Sequence, residues 1–305
     1  MKKKIIFDHD LGSDCDDGAA GVILARAVKN GLCDALAVTH SVGNPHGQYV
    51  MESLFEYFGV RDNIPFGYLF QDVNADDTFH GSTKRTAEMY YLEKGRPYPE
   101  RQSNVKVFRK VLAENNAKDI ILVSTGPFTS LRELYESGPD EISPKTGIEL
   151  VKENICLFCC AAGCFTSSEV REWNIRADVE SAFEVLNNSP IPITYFGNNV
   201  GGAFMTGQDL PNEPEDYPLR SSYMELHNFS GESARPSWDL VVMYYAIYGE
   251  SGFWTVKEGY DVKVNELGQT TFKEGGIHSY IEQVPDTQPI QDLMNEQISS
   301  KGAKD

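Results

Sequence analysis

Five aspartates crowd into ten residues directly after a short apolar run near the start of the chain. The run is Ile5-Ile6-Phe7, and the aspartates are Asp8, Asp10, Asp14, Asp16 and Asp17. Because like charges within a few ångströms raise one another's pKa values, such a cluster needs a compensating cation or strong hydrogen-bond donors. Carboxylate oxygens are the ligands that hard cations such as Ca²⁺ and Mg²⁺ prefer. The spacing therefore favours a metal site with one carboxylate left over for acid–base chemistry.

Two other interpretations of this acidic stretch compete with the metal site. A solvated acidic turn that caps a helix is disfavoured, because the aspartates follow a buried strand, where open α/β sheets place their ligand sites. An EF-hand loop fails on spacing. Counted from Asp8, the glycine falls at the fifth position rather than the sixth, and the twelfth residue is Ala19 rather than glutamate. A metal site at a strand end remains the best interpretation.

The elements that must position these residues alternate between strand and helix. Apolar runs at residues 34–39, 119–124, 154–160 and 192–196 are typical of buried strands, and most are followed by helical patterns. This alternation predicts one α/β domain over residues 1–305, with a mostly parallel open sheet and helices on both faces. Residues 254–284 alternate around a Leu267-Gly268 turn, which predicts a small antiparallel extension near the C-terminus. The polar residues 72–98 show no clear period and are predicted to form, for most of their length, a long irregular excursion.

Composition and charge exclude several classes of partner. The net charge of −18 argues against binding to nucleic acid polymers or anionic membranes, which require clustered lysine and arginine. No apolar run approaches the roughly 20 residues of a membrane span. The MKKK start lacks an apolar region behind it, so we expect a cytoplasmic protein as the sequence stands, and a secreted or periplasmic one if a signal peptide was removed. Four of the six cysteines lie within residues 156–164, where apolar flanks favour buried, reduced thiols over a metal cluster.

The aspartate motif resembles the calcium-binding signature of the inosine-uridine preferring nucleoside hydrolase family. That signature is D-x-D-x-G-x-D-D after an N-terminal strand, and here two extra residues make Asp16-Asp17 the final pair. Further matches follow in family order along the chain. They are Val42-Gly43-Asn44, His80-Gly81, Thr125-Gly126-Pro127-Phe128-Thr129, Glu172-Trp173-Asn174-Ile175 with Asp178, and Asp239. The resemblance implies a Rossmann-like nucleoside hydrolase fold.

The resemblance also implies an activity and roles for individual residues. It implies calcium-dependent hydrolysis of the N-glycosidic bond of a ribonucleoside or related riboside, giving ribose and free base for salvage, by a homo-oligomer (dimer or tetramer). Asp10 would be the general base. The implied Ca²⁺ ligands are Asp10, Asp17, Asp239 and the carbonyl of Thr125. The implied sugar-binding residues are Asp16, Asn44, Glu172, Asn174 and Asp239.

The chain departs from the family pattern where the leaving group is handled. The family histidine before the last aspartate, which assists purine departure, is Trp238 here, and the family's Met-Gly-Gly is replaced by residues 160–163. The last residue of the Thr-Gly-Pro motif is Ser130 rather than asparagine. An indole can stack on a base and donate one hydrogen bond, but it is no acid near neutral pH. Trp238 is therefore predicted to bind the substrate, and the base preference is left open.

Two hypotheses from other functional classes remain at this point. Asp8-His9-Asp10 after a strand is also typical of haloacid dehalogenase-type phosphotransferases, although Gly12 and the crowded later aspartates fit that family less well. The second alternative is a ribose- or nucleoside-binding homologue that kept the metal site and lost most of its turnover.

Overall fold

Strands and helices alternate along the chain in the computed structural model, which describes residues 2–73, 82–250, 252–282 and 286–303. The strands are β1 Lys3–His9, β2 Cys33–His40, β3 Phe66–Tyr68, β4 Gln102–Ser103, β5 Ile120–Ser124, β6 Ile155–Ala161, β7 Ile193–Phe196, β8 Met205–Thr206, β9 Arg235–Pro236, β10 Thr255–Val264 and β11 Thr270–Glu282. The helices are α1 Asp16–Lys29, α2 Pro45–Tyr57, α3 Ser82–Ala87, α4 Asn104–Glu114, α5 Thr129–Glu136, α6 Gly147–Asn154, α7 Trp173–Ala177, α8 Val179–Asn187, α9 Asn198–Gly201, α10 Pro218–Ser230, α11 Trp238–Tyr248 and α12 Gln288–Gln297.

The central sheet has nine strands in the order β10-β11-β7-β6-β5-β1-β2-β3-β4. All neighbouring strands run parallel except β10 and β11, which form an antiparallel hairpin that joins the sheet through β7. Strands β8 and β9 form a separate antiparallel ribbon. The predicted mostly parallel sheet with an antiparallel C-terminal extension is confirmed.

Helices cover both faces of the sheet and bury two apolar layers. Because successive strand residues face opposite sides, Ile5 and Phe7 belong to one layer and Ile6 to the other. Helices α1, α2, α10 and α11 contribute to the first layer, and α4, α5, α6 and α8 to the second. None of the helices in the described part of the chain is both long and apolar enough to cross a membrane.

The predicted irregular excursion at residues 72–98 is wrong for part of its length. Helix α3 continues into a π-helical turn, Glu88–Leu92, and Tyr91 of this turn is buried in the core. The segment was missed because a six-residue helix shows too few turns for a 3.6-residue period to emerge. His80-Gly81, one of the family matches, lies outside the described residues.

The parallel arrangement gathers the carboxyl ends of the strands at one edge of the sheet. Asp8 near the end of β1 is in register with Thr39 of β2 and with Ser124 of β5. The residues that directly follow these strands therefore lie beside one another. This edge is where open α/β sheets bind their ligands.

Candidate active site

Four carboxyl groups meet at this edge of the sheet. Asp10 follows β1 directly, Asp16 and Asp17 open α1, and Asp239 lies in the first turn of α11. Each is at most 5% exposed. The N-terminus of a helix favours anions through its free N–H groups and its dipole, which helps to place three of the four here. The structure thus brings together all four aspartates that were predicted for metal and sugar binding.

Hydrogen bonds from the backbone and from Thr125 join the four groups. The Asp10 N–H donates to Asp17 Oδ1 over 3.3 Å, and Thr125 Oγ1 donates to the same oxygen over 2.7 Å. The Asp239 N–H donates to Asp16 Oδ2 over 3.1 Å. The aspartate loop, the end of β5 and the start of α11 are therefore tied into one site.

Burial dominates the electrostatics of this cluster. It raises the pKa of Asp10 to about 6 and that of Asp16 to about 8. It also raises the pKa values of Asp17 and Asp239 well above the ordinary aspartate range, and the neighbouring aspartates raise them further. The hydrogen bond from Thr125 lowers the pKa of Asp17, but this effect is smaller than that of burial. The cluster therefore binds protons strongly when no cation is present.

The donor set fits a hard cation. Asp10 Oδ2 and Asp17 Oδ2 are buried, and neither receives a hydrogen bond from an N–H or hydroxyl group that the structure describes. The carboxyl groups contact one another in two pairs, Asp10 with Asp17 and Asp16 with Asp239. In the described ranges no three histidine, cysteine or acidic side chains already stand in an arrangement that would hold a metal ion. Oxygen atoms of this kind suit Ca²⁺ or Mg²⁺ once the protons are lost.

Asp8 and Asp14 have separate partners that the sequence did not reveal. Asp8 accepts hydrogen bonds from Thr39 Oγ1 over 2.6 Å and Ser130 Oγ over 2.7 Å, while burial raises its pKa to about 7. Asp14 forms an ion pair with Arg235, whose Nε lies 2.9 Å from Asp14 Oδ1. The need of a buried carboxylate for donors predicts that partners exist, but not which residues they are. Ser130, noted only as a departure from the family, supplies one of them.

Glu172 caps a short helix, and Asn174 joins the ends of two neighbouring strands. Glu172 caps α7 by accepting the N–H groups of Asn174 over 2.8 Å and Ile175 over 3.2 Å, and burial raises its pKa to about 7. The Asn174 amide nitrogen donates to the carbonyls of Thr125 and Ala161, both over 2.9 Å. The Asn174 side chain is therefore fixed between β5 and β6. Its Oδ1 is the atom that it can present to a sugar hydroxyl.

Asn44 lies in the loop that follows β2 and caps α2. Its Oδ1 accepts the N–H of His46 over 3.0 Å and lies 2.8 Å from the His46 ring Nδ1. The side chain is half-buried. Capping occupies its oxygen, so its amide nitrogen is the group that it can offer to a sugar.

Trp238 lies immediately before the cluster residue Asp239, and its indole already has two partners. Nε1 donates to the carbonyl of Asn198 over 2.9 Å. The guanidinium carbon of Arg235 lies 5.3 Å from the ring centroid, within the range of a cation–π contact. The indole N–H and one face of the ring are therefore occupied by the protein itself.

Comparison with known proteins agrees with this geometry. The sequence profile of the family described as "Inosine-uridine preferring nucleoside hydrolase" matches residues 5–296. A plant nucleoside hydrolase is 20% identical over 98% of this chain and 99% of its own, with a TM-score of 0.72. The inosine-uridine preferring nucleoside hydrolase of Bacillus anthracis is 16% identical over 98% of this chain and 99% of its own, with a TM-score of 0.70. The purine-preferring ribonucleoside hydrolase of Gardnerella vaginalis is 16% identical over 99% of both chains, with a TM-score of 0.69.

A search of curated protein sequences finds no match. At identities of 16–20% the solved structures establish the fold, and the profile establishes the family. The predicted fold and the predicted family are both confirmed. The chain therefore belongs to the inosine-uridine preferring nucleoside hydrolase family, whose enzymes hydrolyse N-ribosyl bonds.

Proposed function

We propose that this chain hydrolyses the N-glycosidic bond of a ribonucleoside or a related small riboside, that it needs one Ca²⁺ to do so, and that it serves nucleoside salvage. One observation carries the calcium requirement. Four buried carboxyl groups converge on a strand-end site, and Asp10 Oδ2 and Asp17 Oδ2 receive no hydrogen bond from a described N–H or hydroxyl group. Burial raises the pKa values of both groups, so their ionised forms need a compensating positive charge, which a bound cation would supply.

The proposed ligands are Asp10, Asp17, Asp239 and the carbonyl oxygen of Thr125. That carbonyl already accepts one hydrogen bond from Asn174, and a carbonyl oxygen has a second lone pair for another partner. Ca²⁺, when bound, supplies positive charge and coordination positions for hydroxyl and water oxygens. Its ligands must first lose their protons, so binding strengthens as the pH rises.

Asp10 is proposed to act as the general base. Burial raises the pKa of Asp10, which favours proton acceptance, and bound Ca²⁺ would keep the carboxylate in the ionised form that a base requires. Its backbone is held by the hydrogen bond to Asp17. Asp10 Oδ2 is the atom that would take a proton from the attacking water, since Oδ2 receives no hydrogen bond from a described N–H or hydroxyl group.

The remaining polar groups are proposed to hold the ribose and stabilise the charge that develops on it. N-glycosidic bonds break through an oxocarbenium-like transition state, as in glycoside hydrolysis, so positive charge grows on the sugar. Carboxylates such as Asp16 and Asp239 attract that charge more strongly in the transition state than in the ground state. Asn44, Glu172 and Asn174 would orient the hydroxyl groups. Each of these three is already fixed by capping or by strand-end hydrogen bonds.

Fewer protein groups are available to stabilise the leaving group than to bind the sugar. Trp238 has no acidic proton, and its N–H is committed to the carbonyl of Asn198. We therefore propose that the chain favours ribosides whose leaving group departs without acid assistance. Inosine would be a slow substrate.

The decisive experiment measures reducing-sugar release from a panel of nucleosides and from p-nitrophenyl riboside, with calcium and with a chelator. Release that requires calcium supports the proposal. Asp34→Asn is a matched control, because Asp34 carries a half-exposed carboxylate at the opposite edge of the sheet and forms an ion pair with the exposed Lys2. Tight ribose binding without any release would instead identify a binding homologue, and release that is unchanged by chelation would remove calcium from the mechanism.

A further inference from the structure

Two buried histidines lie directly beneath the aspartate loop, and the proposed mechanism uses neither. His9 is the last residue of β1 and His40 the last residue of β2, and the two are register partners in the sheet. Both are 0% exposed. Their ring centroids are 4.8 Å apart. Buried imidazoles need hydrogen-bond partners, and the identity of those partners indicates the role of each ring.

His9 is oriented by a buried glutamine. The Gln48 amide nitrogen donates to the carbonyls of Val38 and Gly67 over 2.9 and 2.7 Å, which leaves Gln48 Oε1 as an acceptor. This oxygen lies 2.7 Å from His9 Nε2, so Nε2 carries the proton. His9 Nδ1 is then free to accept the N–H of Leu11 over 3.2 Å, and it does so.

His40 holds the other side of the same residue. Its Nε2 lies 3.2 Å from the carbonyl oxygen of Leu11, so Nε2 carries the proton and donates. Helix α2 also packs against the Leu11 carbonyl and the His40 ring. A Cβ atom at Gly47 would lie 1.8 Å from the Leu11 oxygen and 2.6 Å from His40 Nε2, so only glycine fits there. Both backbone polar groups of Leu11 are thus held by histidines.

Leu11 lies between the proposed base and the turn of the loop. It follows Asp10 directly, and Gly12 after it has φ of 124°, a conformation that favours glycine. Repulsion between the neighbouring carboxyl groups would spread this loop as they ionise. A residue fixed at both its N–H and its carbonyl resists that displacement immediately beside Asp10.

We propose that His9 and His40 form a clamp on Leu11 that positions Asp10 for calcium binding and for proton transfer. Neither histidine contacts the substrate in this proposal; both are positioning residues. The proposal rests on the function proposed above. It predicts that the clamp acts through hydrogen bonds at Nε2 of His40 and Nδ1 of His9, rather than through the volume of the rings alone.

The test compares two substitutions at His40. His40→Leu removes the donor, whereas His40→Gln places an amide nitrogen near the position of Nε2. We expect His40→Leu to weaken calcium binding, measured by calorimetry, and to lower kcat, each by about 10- to 100-fold, the usual effect of losing a group that orients a metal ligand. We expect His40→Gln to recover most of both, with KM for the riboside little changed throughout.

His278 provides the matched control. It is also buried, and its Nδ1 accepts a backbone N–H, that of Ile193, at a distant part of the sheet. His278→Leu should lower the melting temperature without changing the calcium Kd or kcat. Equal calcium affinity and kcat in His40→Leu and the wild type would overturn the clamp, as would a His40→Gln variant no better than His40→Leu.

A measurement on the unmodified chain tests the clamp even if the variants fail to fold. In ¹⁵N spectra of histidine-labelled protein at pH 7, both His9 and His40 should be neutral and protonated on Nε2. A His9 protonated on Nδ1 could not accept the Leu11 N–H and would refute the clamp. If the wild type neither binds calcium nor cleaves ribosides, the proposed function fails instead, whatever the imidazole spectra show.

Discussion

Raising the pH should destabilise the metal-free protein, because its site buries carboxyl groups that remain protonated. Burial raises the pKa of Asp8 from 3.8 to about 7 and that of Glu172 from 4.5 to about 7. A group whose pKa is raised by folding contributes stability that is complete below its unfolded value and is lost as the pH rises through its folded value. The loss should therefore run from about pH 4 to above pH 7.

The expected magnitude is large for a single group. For Asp8, the difference between 3.8 and about 7, at about 1.4 kcal/mol per pH unit, amounts to about 4 kcal/mol. The part of this change that falls between pH 5 and about pH 7 is about 3 kcal/mol. At roughly 2–4 °C per kcal/mol for chains somewhat shorter than this one, Asp8 alone should lower the melting temperature by roughly 6–12 °C between pH 5 and 8.5. Burial also raises the pKa values of Asp10 and Asp16, so their ionisation acts in the same direction.

Thermal melts in chelator at pH 5, 7 and 8.5 measure the effect, and saturating calcium provides the second arm. Calcium should raise the melting temperature more at pH 8.5 than at pH 5, because the ligands must be deprotonated to bind it. Asp8→Asn cannot ionise, so in chelator it should exceed the wild type at pH 8.5, whereas Asp34→Asn should follow the wild type. A melting temperature in chelator that stays constant or rises between pH 5 and 8.5 would refute the reasoning.

Three further predictions concern the reaction itself. Asp17→Ala should abolish the binding of one Ca²⁺ per chain in a calorimetric titration, and an unchanged stoichiometry would remove Asp17 from the ligand set. Asp10→Asn should keep a near-native circular dichroism spectrum and lower kcat by at least about 100-fold, the usual scale of a lost general base; turnover near the wild-type rate would show that another carboxylate activates the water. Because Trp238 cannot donate a proton, kcat for inosine should fall well below that for p-nitrophenyl riboside, and equal values would show that acid assistance is intact.

The sequence predicted the parts of this fold that depend on local pattern. Strands β5 and β7 are continuous apolar runs, and their burial on both faces of a parallel sheet requires that composition. The crowding of Asp10, Asp16 and Asp17 is visible because these residues are close in the chain. Asp239 was placed in the site only through the family resemblance, since nothing local marks it as a neighbour of Asp16.

Contacts between distant segments could not be predicted in the same way. The partners Ser130 and Asp8 are 122 positions apart, and Arg235 and Asp14 are 221 positions apart. Each pair forms because the fold brings distant segments together, not because of any pattern near either residue. This matters most for Asp14, which lies among the aspartates in the sequence but is neutralised by an arginine in the structure.

The sugar side and the leaving-group side of the site can vary independently because of how α11 begins. Trp238 and Asp239 are consecutive, and consecutive residues of a helix point about 100° apart. Asp239 is turned towards Asp16, to which its N–H donates, whereas Trp238 lies against Gly201 and donates to Asn198. A tryptophan at position 238 is therefore compatible with the carboxylate cluster. Under the proposed function, cleavage of the ribosyl bond would persist while the preference for the leaving group changes. The choice of riboside is therefore the measurement most sensitive to the residue at position 238.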